Sequence, residues 1–109
     1  MSKLEEEDLL HILASNLSKE SRILLASLVD REETMSKEEL KKAANELYEL
    51  NFPERFMETG PLIHSRHSLD MNTARLEGAG LVHVKEVGRV RIYSVSELGH
   101  RLADFINKD

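Results

Sequence analysis

Apolar residues recur at intervals of three and four positions through the first half of the chain, the spacing of helices with one buried face. The pattern predicts three helices, at about 4–16, 19–31 and 37–50. Ser18 is the expected N-cap of the second helix, and Ser36 opens a capping box before the third. Because Pro53 disfavours helix at the residue before it, the third helix is expected to stop near Leu50, and residues 51–60 are predicted to form a loop that can contain a turn of helix at about 55–57.

The pattern changes after position 60. Pro61 suits the first turn of a fourth helix, predicted over 61–78, and the glycines beside Ala79 are expected to end it. Apolar and polar residues then alternate on both sides of a turn at Val87-Gly88, which predicts a β-hairpin. The four apolar residues expected on one face of this hairpin are Val82, Val84, Val90 and Ile92. The four basic residues expected on the other face are His83, Lys85, Arg89 and Arg91.

The predicted elements add up to one mostly helical domain of the α+β class, with about five helices and one hairpin. A chain of 109 residues can bury a single modest core but not two. Four consecutive regions are predicted: N-terminal helices at 1–35, a two-helix region at 36–80, the hairpin at 81–95, and a last helix, capped by Ser96, at 96–109.

Charge is distributed unevenly along the chain, whose formal net charge is −5. Residues 1–60 carry 8 Lys or Arg against 14 Asp or Glu, whereas residues 61–95 carry 5 against 3. The fourth helix and the hairpin therefore form the one segment with a basic excess. Such a segment favours orientation on an anionic surface in spite of the acidic total.

Several kinds of chemistry find no support in the sequence. The absence of cysteine excludes disulfides and zinc-thiolate sites. No phosphate-binding glycine loop or nucleophile elbow occurs, so no enzyme and no cofactor is expected, and nothing identifies a small-molecule effector. The N-terminus is acidic and no apolar run approaches membrane-spanning length, which predicts a cytoplasmic protein that binds no membrane.

A metal site is the other chemistry weighed, because His64, His67 and Asp70 recur at spacings of three. Imidazole and carboxylate groups suit zinc or nickel. Spacings of three and three, however, spread the ligands around a helix. We therefore expect histidines that face solvent or a groove, and no metal.

The segment from Arg75 to Gly99 carries a family resemblance. Its motifs are Arg75-Leu76-Glu77, Gly80-Leu81-Val82, Gly88-Arg89, Tyr93 and Ser96-Glu97-Leu98-Gly99. In this order they resemble the winged helix-turn-helix regulators of bacteria and archaea, of the broad MarR, ArsR and PadR kind. The resemblance implies a winged helix-turn-helix fold, in which the 61–78 helix enters the major groove of double-stranded DNA and the hairpin is the wing. It also implies a sequence-specific transcriptional regulator.

The resemblance assigns the DNA-reading face of the fourth helix to the side opposite Leu69 and Leu76. Its expected DNA contacts are Arg66, His67, Asp70, Met71, Asn72 and Arg75 on the helix, with Lys85, Arg89 and Arg91 on the wing. Four base contacts follow from chemistry: Arg66 to guanine, Asn72 to adenine, Asp70 to the cytosine amino group, and Met71 to the thymine methyl. Arg75, Arg89 and Arg91 are expected on phosphates or, from the wing, in the minor groove.

Two mutational hypotheses accompany these assignments. Arg91→Ala should weaken binding to all sequences alike, and Asn72→Ala should weaken binding to the preferred site more than to random DNA.

Two further expectations concern partners. The first and last helices are apolar along one side, so a homodimer is expected, which would place two reading helices one DNA turn apart. The alternative is that the first helix packs on its own core. The rival function is a winged helix that serves as a protein-interaction module in a transcription or replication complex, motivated by the acidic charge, Asp70, and a loop that carries Phe52 and Phe56.

Overall fold

The computed structural model describes residues 5–108, so the outermost residues of the predicted first and last helices, 1–4 and 109, lie outside the described part. Within it, six helices and three strands confirm the α+β, mostly helical fold. Their order is α1 (Glu6–Asn16), α2 (Lys19–Arg31), β1 (Met35–Ser36), α3 (Lys37–Asn51), α4 (Pro53–Thr59), α5 (Arg66–Gly78), β2 (Val82–Val87), β3 (Val90–Val95) and α6 (Glu97–Asn107). None of the helices in residues 5–108 has the length and hydropathy needed to span a membrane.

The predicted caps begin their helices. The Ser18 hydroxyl accepts from the Ser21 amide at the start of α2. Ser36 and Glu39 form the reciprocal capping box of α3, and Ser96 accepts from the Gly99 amide at the start of α6. These contacts satisfy amide groups that a helix leaves unpaired in its first turn.

The connection between α3 and α5 differs from the prediction. Residues 51–60 were expected to form a loop with at most a turn of helix at about 55–57, but the helix there, α4, is longer, and Pro53 occupies its first turn. The next helix begins at Arg66 and not at Pro61, because Ser65 is its N-cap and accepts from the Ser68 amide. The segment before it is not helical, and the Asn45 side chain both donates to and accepts from the Ile63 backbone, at 2.9 Å each.

The sheet has the strand order β1-β3-β2, and all its pairings are antiparallel. The two-residue strand β1 was not predicted; it pairs Met35 with Tyr93 and Ser36 with Ile92. The hairpin turn is Gly88-Arg89, one position later than expected, with Val87 opposite Val90. Gly88 has a φ of +64°, which suits the first central residue of a two-residue hairpin turn.

The core lies between α2, α3, α5, α6 and the inner face of the sheet. Its fully buried large side chains include Leu24, Leu28, Leu40, Leu69, Leu76, Tyr93 and Leu102. Burial of Leu69 and Leu76 confirms the predicted inner face of α5. Because α5 packs on α2 and on β2, the opposite side of this helix faces solvent beside the β2–β3 hairpin, which keeps the label wing below.

Helix α1 packs against α6. Its residues Leu10 and Ala14 are buried in the core, and Glu6 forms an ion pair with Arg101 at 2.6 Å. The exposed side of α1 retains two apolar residues, Leu9 and Ile12, each nearly half accessible. The helix thus packs on its own chain, which was the alternative expectation, and keeps an apolar stripe facing outward.

Candidate nucleic-acid interface

The solvent-facing side of α5 is a mixed surface of basic, acidic and apolar groups. Four of the expected contact residues lie exposed along it: Arg66, His67, Asp70 and Met71. Arg75 is exposed near the end of the same helix. The inward side carries Leu69, Thr73 and Leu76, so the helical periodicity divides α5 into a packed half and an accessible half.

Asn72 is not on the accessible half, and the expectation that it borders the reading face is wrong. The residue is only 4% exposed. The Asn72 carbonyl oxygen accepts from the hydroxyls of Ser18 and Ser21, at 2.7 and 2.8 Å, and its amide nitrogen donates to the Ser68 carbonyl at 2.8 Å. A side-chain amide whose groups are satisfied inside the protein cannot also pair with a base edge, so Asn72 anchors α5 to the start of α2.

Asp70 is held by a residue that sequence reasoning did not select. The Lys37 ammonium, in the first turn of α3, donates to the Asp70 carboxylate at 2.9 Å. This hydrogen bond, reinforced by Coulomb attraction, holds the pKa of Asp70 below its usual value. The carboxylate is therefore ionised at neutral pH, and the pair as a whole adds no net charge to the face.

Basic groups from three separate elements meet at the start of α5. Lys37 of α3, Arg66 of α5 and Arg89 of the wing turn line one shallow surface depression. Glu38 and Arg91 also line it, and Arg91 is paired there with Glu77 and Glu86. The fold thereby gathers cationic side chains that are up to 52 positions apart in sequence, an arrangement suited to phosphate groups.

The two faces of the wing differ from the prediction. The expected grouping of Val84 with Ile92 requires an odd number of residues in the turn, whereas the observed turn has two. Val84 is instead opposite Tyr93, and Lys85 is opposite Ile92. Because side chains alternate along a strand, a two-residue turn places even-numbered residues of one strand on the same face as odd-numbered residues of the other, so the predicted grouping was incompatible even with the predicted turn at Val87-Gly88.

Arg91 is the residue most affected by this change. It lies on the inner face, opposite Glu86, and not beside Lys85 as expected. Its guanidinium contacts Glu77 of α5 at 2.7 Å, Glu86 at 3.5 Å and the Tyr93 hydroxyl at 3.3 Å. The Tyr93 contact is the largest cause of a raised pKa at Arg91. Arg91 therefore ties the wing to α5 with its charge already compensated.

Lys85 and Arg89 remain exposed on the wing. Lys85 projects from the outer face of β2, while Arg89 occupies the turn. Among residues 5–108, neither side chain takes part in an ion pair. They are the wing cations whose charge is most available to a ligand.

His64 and His67 are both exposed, and they do not form a set of metal ligands with Asp70. In the described part of the chain, no group of three or more His, Cys, Asp or Glu residues is placed to hold a metal ion.

Comparisons with known proteins point to one kind of relative. No protein-family model matches the chain. The DNA-binding protein TubR of Bacillus cereus is 35% identical over 108 residues, which span 96% of this chain and 88% of that protein. The comparisons support the resemblance to DNA-binding regulators, while they do not confirm the MarR, ArsR and PadR grouping.

Two solved structures share the fold. One is TubR bound to 24 bp of tubC from Bacillus thuringiensis serovar israelensis pBtoxis, with a TM-score of 0.61, 14% identity, and coverage of 99% of this chain and 98% of that one. The other, a Type III plasmid segregation TubR, has a TM-score of 0.58 at 16% identity and covers 100% of this chain and 91% of that one.

Proposed function

This chain belongs to the family of the DNA-binding protein TubR, and we propose that it binds a specific sequence of double-stranded DNA through α5 and the wing. The observation that carries the proposal is the accessible half of α5 beside Lys37, Arg66 and Arg89, which line one depression. An exposed helix flanked by phosphate-binding cations is the geometry of major-groove recognition.

We assign the contacts by position and chemistry. Arg66, His67 and Met71 lie on the accessible half of α5 and would meet base edges, with Arg66 suited to guanine and Met71 to the thymine methyl. Arg75, Lys85 and Arg89 would contact phosphates, which fix the register of the protein on the duplex without reading sequence.

The biological role we propose is plasmid segregation. A structural neighbour that covers the whole chain is a Type III plasmid segregation TubR, and another was solved with tubC DNA. Binding to plasmid DNA in the cytoplasm would mark that DNA for segregation. Transcriptional regulation from the same site is a second candidate, favoured by the resemblance of the Arg75–Gly99 motifs to bacterial regulators.

A homodimer is part of this proposal. Leu9 and Ile12 leave an apolar stripe on the outer side of α1, away from the contacts that this helix makes with α6. A two-fold partner on that stripe would cover it and present two copies of α5 to one duplex.

Fluorescence anisotropy of labelled duplexes tests the DNA-binding function. The probe set is a tiled series of duplexes from the replicon that encodes the chain, with a shuffled duplex of equal length as control. We expect one tile to bind more tightly than the shuffled duplex, and affinity to fall steeply between about 50 and 200 mM salt because bound counterions are released. No binding at the lower salt would contradict the proposal and favour the protein-interaction module. Of the two phenylalanines that motivated it, Phe52 is exposed, beside exposed Leu50 and Met57.

Arg89→Ala is expected to weaken binding to preferred and shuffled duplexes alike and to reduce the salt slope by about one, since its exposed charge meets a phosphate. The matched control is Arg91→Ala, which removes the same charge from the same hairpin. Because Glu77 and Glu86 already pair with Arg91, we expect this control to change the slope by less than Arg89→Ala does. Anisotropy titrations over a salt series measure both slopes, and a larger change for Arg91→Ala would reverse the assignment.

A further inference from the structure

The accessible half of α5 contains one group that opposes DNA binding. Asp70 lies between Arg66 and Met71 along the exposed side, with its side chain about half accessible. A carboxylate in a major groove faces the repulsion of two phosphate backbones. Non-specific affinity would therefore be higher without it, so its presence on this face calls for a function.

Lys37 limits that repulsion while leaving the carboxylate usable. The ammonium contacts only Oδ1 of Asp70 within hydrogen-bond distance. A carboxylate has two oxygens that accept several hydrogen bonds in all, so Oδ2 remains available to a donor from DNA. The pair is neutral as a whole, and its lysine already lies in the depression with Arg66 and Arg89.

We infer that Asp70 is a specificity-determining residue that reads the amino group of a cytosine, and that Lys37 is its positioning partner. This inference rests on the proposed DNA-binding function. Cytosine presents an amino donor in the major groove, whereas guanine and thymine present acceptors that a carboxylate repels. Adenine pairs its amino donor with a neighbouring acceptor, which suits an amide better than a carboxylate. Asp70 would thus strengthen binding when one particular base pair is C·G and weaken binding when another base pair takes that position.

The test is a base-pair scan of the preferred duplex with wild type and Asp70→Ala. Each position is replaced in turn, and affinities are measured by anisotropy at one fixed salt concentration. Wild type is expected to lose on the order of tenfold in affinity when one particular C·G pair is replaced, and Asp70→Ala to lose that discrimination. The variant should also bind the shuffled duplex several-fold more tightly than wild type, with a steeper salt slope, because Lys37 is released to a phosphate.

Two further variants separate the contact of Asp70 with a base from the effect of its charge on overall affinity. Asp70→Asn should move the preference at that position from cytosine to adenine, since an amide pairs with both groups of the adenine edge. Lys37→Met should weaken binding to every duplex and retain the cytosine preference. The matched control is Glu46→Gln. Like the Asp70 variants, it removes a half-exposed carboxylate that is paired with a basic residue, here Arg31, but this ion pair involves neither α5 nor the wing. It should leave the base preference unchanged.

The outcomes distinguish the inference from the function on which it rests. If wild type binds no duplex preferentially, both the proposed function and the inference are wrong. If wild type discriminates and Asp70→Ala keeps the same preference at every position, the inference alone is overturned. Loss of discrimination at one C·G pair in Asp70→Ala, without loss in Glu46→Gln, supports it.

Discussion

Replacing Gly99 with alanine is expected to lower the free energy of unfolding by about 2–3 kcal/mol. A Cβ atom at this position would lie 2.2 Å from the Leu81 carbonyl oxygen and 2.7 Å from Cγ2 of Val95. The carbonyl cannot withdraw easily, because it accepts from the Ser96 amide at 3.0 Å. Ser96 is fixed in turn, since its hydroxyl donates to the Gly80 carbonyl at 2.7 Å. The methyl group therefore forces α6 away from the start of β2.

Chemical denaturation followed by circular dichroism measures this effect, and Gly78→Ala is the matched control. Gly78 ends α5, has no positive φ, and a Cβ there meets no atom within 4 Å. Because alanine favours helix over glycine, we expect Gly78→Ala to leave stability unchanged or to raise it by up to about 1 kcal/mol. Equal denaturation midpoints for Gly99→Ala and wild type would contradict this prediction, because they would show that the start of α6 can move away from the Leu81 carbonyl without loss of stability.

Asn72→Ala is expected to cost about 2 kcal/mol of stability, because it leaves buried polar groups without their partner. The Ser18 and Ser21 hydroxyls both donate to the Asn72 carbonyl, and Ser21 is fully buried. Because Asn72 is buried away from the accessible half of α5, the variant should keep the wild-type preference for one duplex when DNA binding is measured at a temperature where it is folded. This expectation replaces the hypothesis that Asn72 reads adenine.

Met71→Ala is the control for Asn72→Ala, since it changes the adjacent residue, which lies on the accessible half of α5. Met71 is half exposed, so its truncation should alter stability by no more than about 0.5 kcal/mol. Thermal melting and anisotropy on both variants should give opposite results. Asn72→Ala should be destabilised but keep the wild-type preference for one duplex, whereas Met71→Ala should keep its stability and bind DNA more weakly. A stable Asn72→Ala variant that has lost its base preference would restore the reading role.

Local sequence signals were sufficient for most of the helical framework. Ser18, Ser36 and Ser96 were predicted as caps because capping depends on residues only three positions apart. The inner face of α5 followed from the seven-residue spacing of Leu69 and Leu76. The start of α5 was misplaced because Pro61 and Ser65 are both plausible starts, and the choice depends on Asn45, which comes from another helix.

The candidate interface was less predictable, because its details depend on contacts between distant residues. Asn72 lies at helical spacing from Leu69 and Leu76, which indicates the inner side of α5, whereas its polar side chain suggested an exposed position. Nothing in the sequence indicates that Ser18 and Ser21 would supply buried hydrogen-bond partners for it. The pairing of Lys37 with Asp70 joins residues 33 positions apart, and nothing local in either segment signals it. The predicted faces of the wing failed because they grouped even-numbered residues of both strands, which no two-residue turn allows, and both the predicted turn and the observed one hold two residues.

The contact between α1 and α6 has a consequence for how the chain assembles during synthesis. Glu6 and Arg101, which join the two helices, are 95 positions apart. Contacts of such long range form late, because the intervening loop must first close. When α1 leaves the ribosome, the surface that will cover Leu10 and Ala14 has not yet been translated. The apolar side of α1 therefore stays uncovered through most of elongation, and its packing against α6 is among the last contacts of the fold to form.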